Sequence, residues 1–212
     1  MSELDPSLPA LVGLRCRCGT LRGQVDATPV RGRRAGLHIV CYCADCRAFA
    51  LALERPDGLD AAGGTAIWQT TPSRVRIQSG TEQLRCLRLS DKGMLRWHTA
   101  CCNTPVANTM SSPGFPFAGL IRTCLELSDE RQAALLGTAT GVNGRSAKGQ
   151  APAGTEATAS LGTILRTIAF LLRGRLAGAQ RPTPFFDANG QPVVTPRVLS
   201  VAEREAVRER DR

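Results

Sequence analysis

The sequence predicts a mainly β domain followed by a C-terminal helical extension, and three observations predict it. Short alternating segments broken by glycine and proline run from Leu14 to Leu127. Nine cysteines are present, and five of them fall into tight CxC and CxCxxC groups within that region. Beyond residue 160, apolar residues recur at helical rather than strand spacing.

The first 19 residues, MSELDPSLPALVGLRCRCG, carry acids and prolines where a secretory signal needs a basic stretch and an apolar run. The longest apolar stretch, Leu161 to Leu172, is interrupted by Gly162, Thr163, Arg166 and Thr167 and falls short of the roughly 20 residues that span a bilayer. A soluble, cytoplasmic protein with no membrane partner is therefore expected. In a reducing compartment clustered thiols are better explained as metal ligands or reactive groups than as disulfides. A chain of 212 residues also buries enough core not to need cross-links.

Taken in chain order, Cys16 and Cys18 sit in an extended segment whose side chains alternate faces, so both point the same way, with Gly19 allowing a tight turn behind them. The group Cys41-Tyr42-Cys43-Ala44-Asp45-Cys46 provides three thiolates within six residues. Ala61 to Thr65 reads as a Gly-rich bend. Val75 to Ile77 alternates before a turn at Ser79-Gly80, and Leu84 to Leu89 alternates after it, which reads as a pair of neighbouring strands. The third cysteine-bearing stretch is Trp97 to Pro105, with His98, Cys101 and Cys102. Cys86 and Cys124 fall among apolar neighbours and read as small buried hydrophobes.

Three units follow: a zinc-binding domain over 14–127, a flexible linker over 137–160 where Gly, Ala, Thr and Ser replace any apolar period, and a C-terminal helix and tail over 161–212. In the last unit Leu161, Ile164, Leu165, Ile168, Leu172 and Leu176 form a stripe expected to dock on the β core or a partner subunit. Asn189-Gly190 is a turn signal, and Ser200 to Glu203 a capping box opening a final charged helix.

The cysteine chemistry narrows the function. A structural zinc takes four ligands at tetrahedral geometry, so the Cys16/Cys18 pair needs Cys101 and Cys102, with His98 as an alternate. Three protein ligands plus an exchangeable position is the catalytic pattern, and Cys41, Cys43 and Cys46 supply three. A fourth ligand, from Asp45, His38 or another cysteine, would close that site instead. Two zinc ions are expected, inferred from soft ligands in a tetrahedral pattern, which iron could also occupy. The net charge of +9 agrees with an anionic ligand, and Arg31, Arg33 and Arg34 form the one short basic cluster. Arg33, Arg34 and Arg47 could hold substrate carboxylates, against the plainer reading of solvated surface arginines. With 6 Phe, 2 Trp and 1 Tyr there is little sign of a stacking platform, so nucleic acid is not an expected partner.

The order CxCG, then CxCxxC about two dozen residues later, then a turn ending in Cys102-Asn103-Thr104-Pro105, resembles the glutathione-dependent formaldehyde-activating family, which includes centromere protein V. The resemblance covers roughly Leu14 to Leu127. It implies a zinc-stitched β-tent fold, structural zinc ligation by Cys16 and Cys18 with a later pair, and an active-site zinc on Cys41, Cys43 and Cys46. It also implies carbon–sulfur lyase chemistry, joining a small thiol such as glutathione to formaldehyde. Two departures mark a divergent branch. Tyr42 replaces the family's histidine between the first two cysteines, and the late CxxCG turn has become His98-x-x-Cys101-Cys102-Asn103. The competing readings are a non-catalytic zinc module that binds a protein or nucleic acid, and a thiol–zinc redox sensor.

Overall fold

The computed structural model describes residues 10–30 and 32–212, so Arg31 and residues 1–9 of the stretch read for a secretory signal lie outside the described residues. The fold is mainly β with a helical C-terminal extension, as the patterning predicts. In chain order the strands are β1 (Leu11–Arg15), β2 (Arg22–Asp26), β3 (Leu37–Cys41), β4 (Thr65–Thr70), β5 (Val75–Ser79) and β6 (Leu84–Arg88). They continue with β7 (Leu95–Thr99), β8 (Pro105–Thr109), β9 (Ala118–Ile121), β10 (Leu125–Glu126), β11 (Thr140–Val142) and β12 (Arg197–Val198). The helices are α1 (Ala44–Ala52), α2 (Asp129–Leu135), α3 (Leu161–Leu176) and α4 (Val201–Arg210).

The strands form a four-stranded sheet, β10-β1-β2-β5, and an eight-stranded sheet, β11-β3-β4-β9-β8-β7-β6-β12. Pairing is antiparallel except at the two edges of the larger sheet, where β11 adds parallel to β3 and β12 parallel to β6. Residues 137–160, read as a linker, thus contribute an edge strand and hydrogen bonds such as Tyr42 N–H to Val142 O at 3.0 Å. Covering both edges with short strands removes rows of unpaired backbone groups from the large sheet.

Alternation holds in β1 and β2, where Val12, Leu14 and Val25 face the core. It vanishes in β8, buried at every position, because a central strand covered on both faces has no solvent side to mark. One core joins the sheets: Val12 and Leu14 meet Trp68, Trp97, Val106 and Leu120, and Phe185 from the C-terminal tail enters it fully buried. The Phe185 ring centroid lies 5.2 Å from that of Trp97.

Two expectations need correction. β5 and β6 are consecutive but not neighbours: they belong to different sheets. Gly80 takes a left-handed conformation (φ 73°), and Thr81–Gln83 forms a 3₁₀ turn that carries the chain from one sheet to the other instead of closing a hairpin. A side chain at Gly80 would also run into the Thr20 carbonyl. The apolar stripe of α3 likewise faces outward, with Leu161 72% and Leu176 88% exposed, which overturns docking on the β core and leaves a partner subunit as the docking surface expected of it. The opposite face turns inward: Thr163, Thr167 and Phe170 are half-buried along a cavity, and Gly174 is buried against Pro116. Gly174 comes so close to Pro116 that an added Cβ would lie 2.9 Å from its Cβ, so a leucine cannot stand at that point of the inward face.

The capping box of α4 agrees with the sequence, and α3 carries a cap that the sequence reading omits. Ser160 caps α3 by accepting from Thr163 N–H, and Ser200 with Glu203 completes the capping box of α4. The Asn189-Gly190 turn forms, with Gly190 N–H donating to Asp187 O at 3.1 Å. No helix among the described residues is long and apolar enough to cross a membrane.

Candidate metal centres

The four cysteines of the first group converge from two turns. Cys16 and Cys18 lie just past β1, in a turn and not in the strand itself, with Gly19 at φ 80° behind them. Cys101 and Cys102 lie in the turn from β7 to β8, where Asn103 takes φ 51° and Thr104 N–H donates to Thr99 Oγ1 at 3.2 Å. The sulfurs of Cys16 and Cys18 are 3.5 Å apart, Cys18 and Cys101 3.3 Å, Cys16 and Cys101 3.9 Å, and Cys101 and Cys102 3.8 Å. Zinc–sulfur bonds of about 2.3 Å at tetrahedral angles place sulfurs about 3.8 Å apart, so the spacing fits a metal. All four thiols are free of disulfides. Burial opposes the Cys102 thiolate, and hydrogen bonds from Thr104 and Thr99 outweigh it, drawing the thiol down to about 5. His98, the alternate ligand, is outside the group; its Nδ1 is buried without a hydrogen-bond partner among the described residues.

The second group is built by a strand end and a helix start. Cys41 is the last residue of β3, Cys43 is the N-cap of α1, and Cys46 sits in the first turn, three residues on. The helix turn brings Cys43 and Cys46 onto one side, with Cys46 N–H donating to Cys43 O at 3.1 Å. Positive charge at a helix N-terminus favours thiolates there. Hydrogen bonds from Cys43 and Cys46 pull the Cys41 thiol far down, and the same contacts push Cys46 up. A soft cation bound by the three sulfurs would displace the thiol protons that remain.

Among the described residues the group stops at three: no fourth His, Cys, Asp or Glu joins it. Asp45 instead lies 3.7 Å from Arg96, and His38 Nδ1 donates to Gly137 O at 3.0 Å. The remaining neighbour is Asn143, whose amide donates to Cys41 Sγ at 3.4 Å. Sequence reasoning missed Asn143, because it lies in the stretch of linker-like composition and reaches Cys41 only through the β11–β3 pairing.

Nearby residues divide between scaffold and cavity. Tyr42 is committed to Asp60, donating to its Oδ2 at 2.9 Å, and burial together with that carboxylate raises its phenol to about 12. Arg47 is committed as well: it pairs with Asp211 at 2.8 Å and donates to the Tyr42 and Ser146 carbonyls. This removes Arg47 from the candidates for holding substrate. Arg33 and Arg34, by contrast, line a cavity of about 940 Å3 that also reaches Cys41 and Asn143. Cys86 and Cys124 are buried apart from both groups, as expected.

Fold and site together define a mainly β protein with two cysteine groups that could hold metal ions, four thiols in one and three in the other. The chain belongs to a family of unknown function, DUF6151, whose model matches residues 8–196. Among solved structures it is similar to a Rhodobacter sphaeroides protein from a structural-genomics effort, at 17% identity and a TM-score of 0.40, covering 57% of this chain and 93% of that one. No curated protein matches.

Proposed function

We propose that the chain is a two-zinc protein in which Cys16, Cys18, Cys101 and Cys102 hold a structural ion and Cys41, Cys43 and Cys46 hold a second one at which a small thiol adds to a carbonyl. The observation that carries this reading is the difference in ligand count, four against three, with a cavity beside the three. A zinc ion on three thiolates supplies an exchangeable position that keeps a thiol deprotonated near neutral pH. Addition of such a thiol to formaldehyde forms one carbon–sulfur bond, and the thiol proton ends on the carbonyl oxygen, so no oxidant or reductant is required. Glutathione is the thiol that the formaldehyde-activating resemblance implies.

The chain's own residues prepare the place. Asn143 orients the Cys41 sulfur, the α1 N-terminus favours negative charge on Cys43 and Cys46, and the Arg47 ion pair holds α1 against the C-terminal end. Tyr42 is left with a scaffold role, since its hydroxyl is engaged by Asp60, whereas Asp45 is exposed at 3.7 Å from Arg96.

Metal analysis of the native protein should give two zinc ions per chain, and a Cys43→Ser variant should lose one while keeping its fold and losing thiol–aldehyde turnover. Loss of both ions with unfolding in that variant would make the triple-cysteine group structural. A zinc-replete protein that leaves glutathione plus formaldehyde, and a panel of other thiols and aldehydes, unchanged would end the enzymatic reading.

A further inference from the structure

The cavity beside Cys41 has a charge that the cysteine group does not explain. It runs along the β3–β11 edge and is bounded by α3, and its volume of about 940 Å3 is that of a small-molecule site. Arg33 and Arg34 line it from the loop before β3, and Arg166 and Arg173 from α3. Among the described residues no Asp or Glu lines it, and none pairs with any of these four arginines. Glu156, the nearest acid along the chain to Arg166, is hydrogen-bonded to the Ser160 and Thr163 hydroxyls and attracts Arg166 without forming an ion pair with it. Arg33, Arg34 and Arg173 also border a second groove, but there Asp26 lies 3.4 Å from Arg74 and opposes the positive charge.

Four exposed guanidinium groups around one cavity with no carboxylate in its lining repel one another, and an anion entering the cavity offsets that repulsion. Their planar forks match carboxylate and phosphate oxygens. An ammonium group entering the same space would find no carboxylate. We propose that this cavity binds a small polyanion carrying two or more carboxylate or phosphate groups and no ammonium, with Arg33, Arg34, Arg166 and Arg173 determining the specificity. Reach to Cys41 makes this the substrate's acid-binding end, a point that rests on the thiol–zinc reading above; the anion selectivity stands on the arginines alone. Among thiols it favours a mercaptodicarboxylate over glutathione, whose ammonium would lie unpaired.

The test is calorimetric titration of the full zinc-loaded chain with mercaptosuccinate, succinate and cysteine. Mercaptosuccinate should bind about 10-fold or more tightly than cysteine, and an Arg166→Gln/Arg173→Gln variant should lose about that factor for both dicarboxylates while cysteine changes little. Affinity for the dicarboxylates should fall as salt rises. Both arginines are on the helix surface, so thermal unfolding of the variant checks that α3 stays in place, and Arg33→Gln repeats the test from outside the helix. Equal binding of cysteine and mercaptosuccinate, or dicarboxylate affinity unchanged in both arginine variants, would overturn the proposal. Dicarboxylate selectivity kept in Cys43→Ser, with no thiol–carbonyl turnover in the native protein, would end the enzymatic reading and leave this one standing.

Discussion

Arg47 lies one residue past Cys46, where a basic side chain could be taken for a substrate clamp, yet only 7% of its side chain is exposed and every direction of its fork is occupied by protein. Its partner Asp211 comes from the far end of the chain and is also approached by Lys148 at 3.3 Å. Burial pushes the pKa of the Asp211 carboxyl up, and the hydrogen bond and charge of Arg47 more than reverse this, so the folded value lies below the ordinary one. A carboxylate lowered on folding contributes stability that is fully present above its unfolded range near pH 4 and is lost as pH falls through the folded value. Asp211→Asn should therefore cost about 1–3 kcal/mol at pH 7, and the gap from the native protein should narrow in acid. Urea unfolding at neutral pH and below pH 4 measures both; an unchanged neutral stability would show that the pair contributes nothing net.

Among the elements, α3 separates the two meanings of an amphipathic pattern. Its apolar stripe is the solvent face, and its small and polar face is the one that packs, because the backbone at Gly174 sits against Pro116. Replacing Leu165, 56% exposed, with Ser should change thermal stability by no more than about 0.5 kcal/mol. Gly174→Val should instead cost about 1–3 kcal/mol, since the new side chain must push the helix off Pro116. A reversed order of these two effects would mean that the stripe is covered in solution.

For the whole molecule, the C-terminal tail completes the core and does not merely follow it. Phe185 is fully buried between the sheets against Trp97, and β12 finishes one edge of the large sheet. Phe185→Ala should lower stability by about 3–5 kcal/mol, the loss expected for an aromatic removed from a close-packed interior. Denaturant unfolding checks it. A cost below about 1 kcal/mol would place the tail outside the cooperative unit.

Local spacing determined what local geometry can build. Cysteines one to three residues apart are brought together by a single turn or a helix start, so both thiol groups were legible, as were the α4 capping box and the mainly β class. The partners of the Cys16/Cys18 pair were legible only as candidates, since His98 and the two adjacent cysteines satisfy the same spacing. Only the tertiary structure brought Cys101 and Cys102, and not His98, together with Cys16 and Cys18, put β5 and β6 in different sheets, turned the α3 stripe outward, set Asn143 against Cys41 and lined the neighbouring cavity with four arginines. These outcomes depend on which distant strands pair and how closely backbones approach, and residue type along one segment carries no record of either.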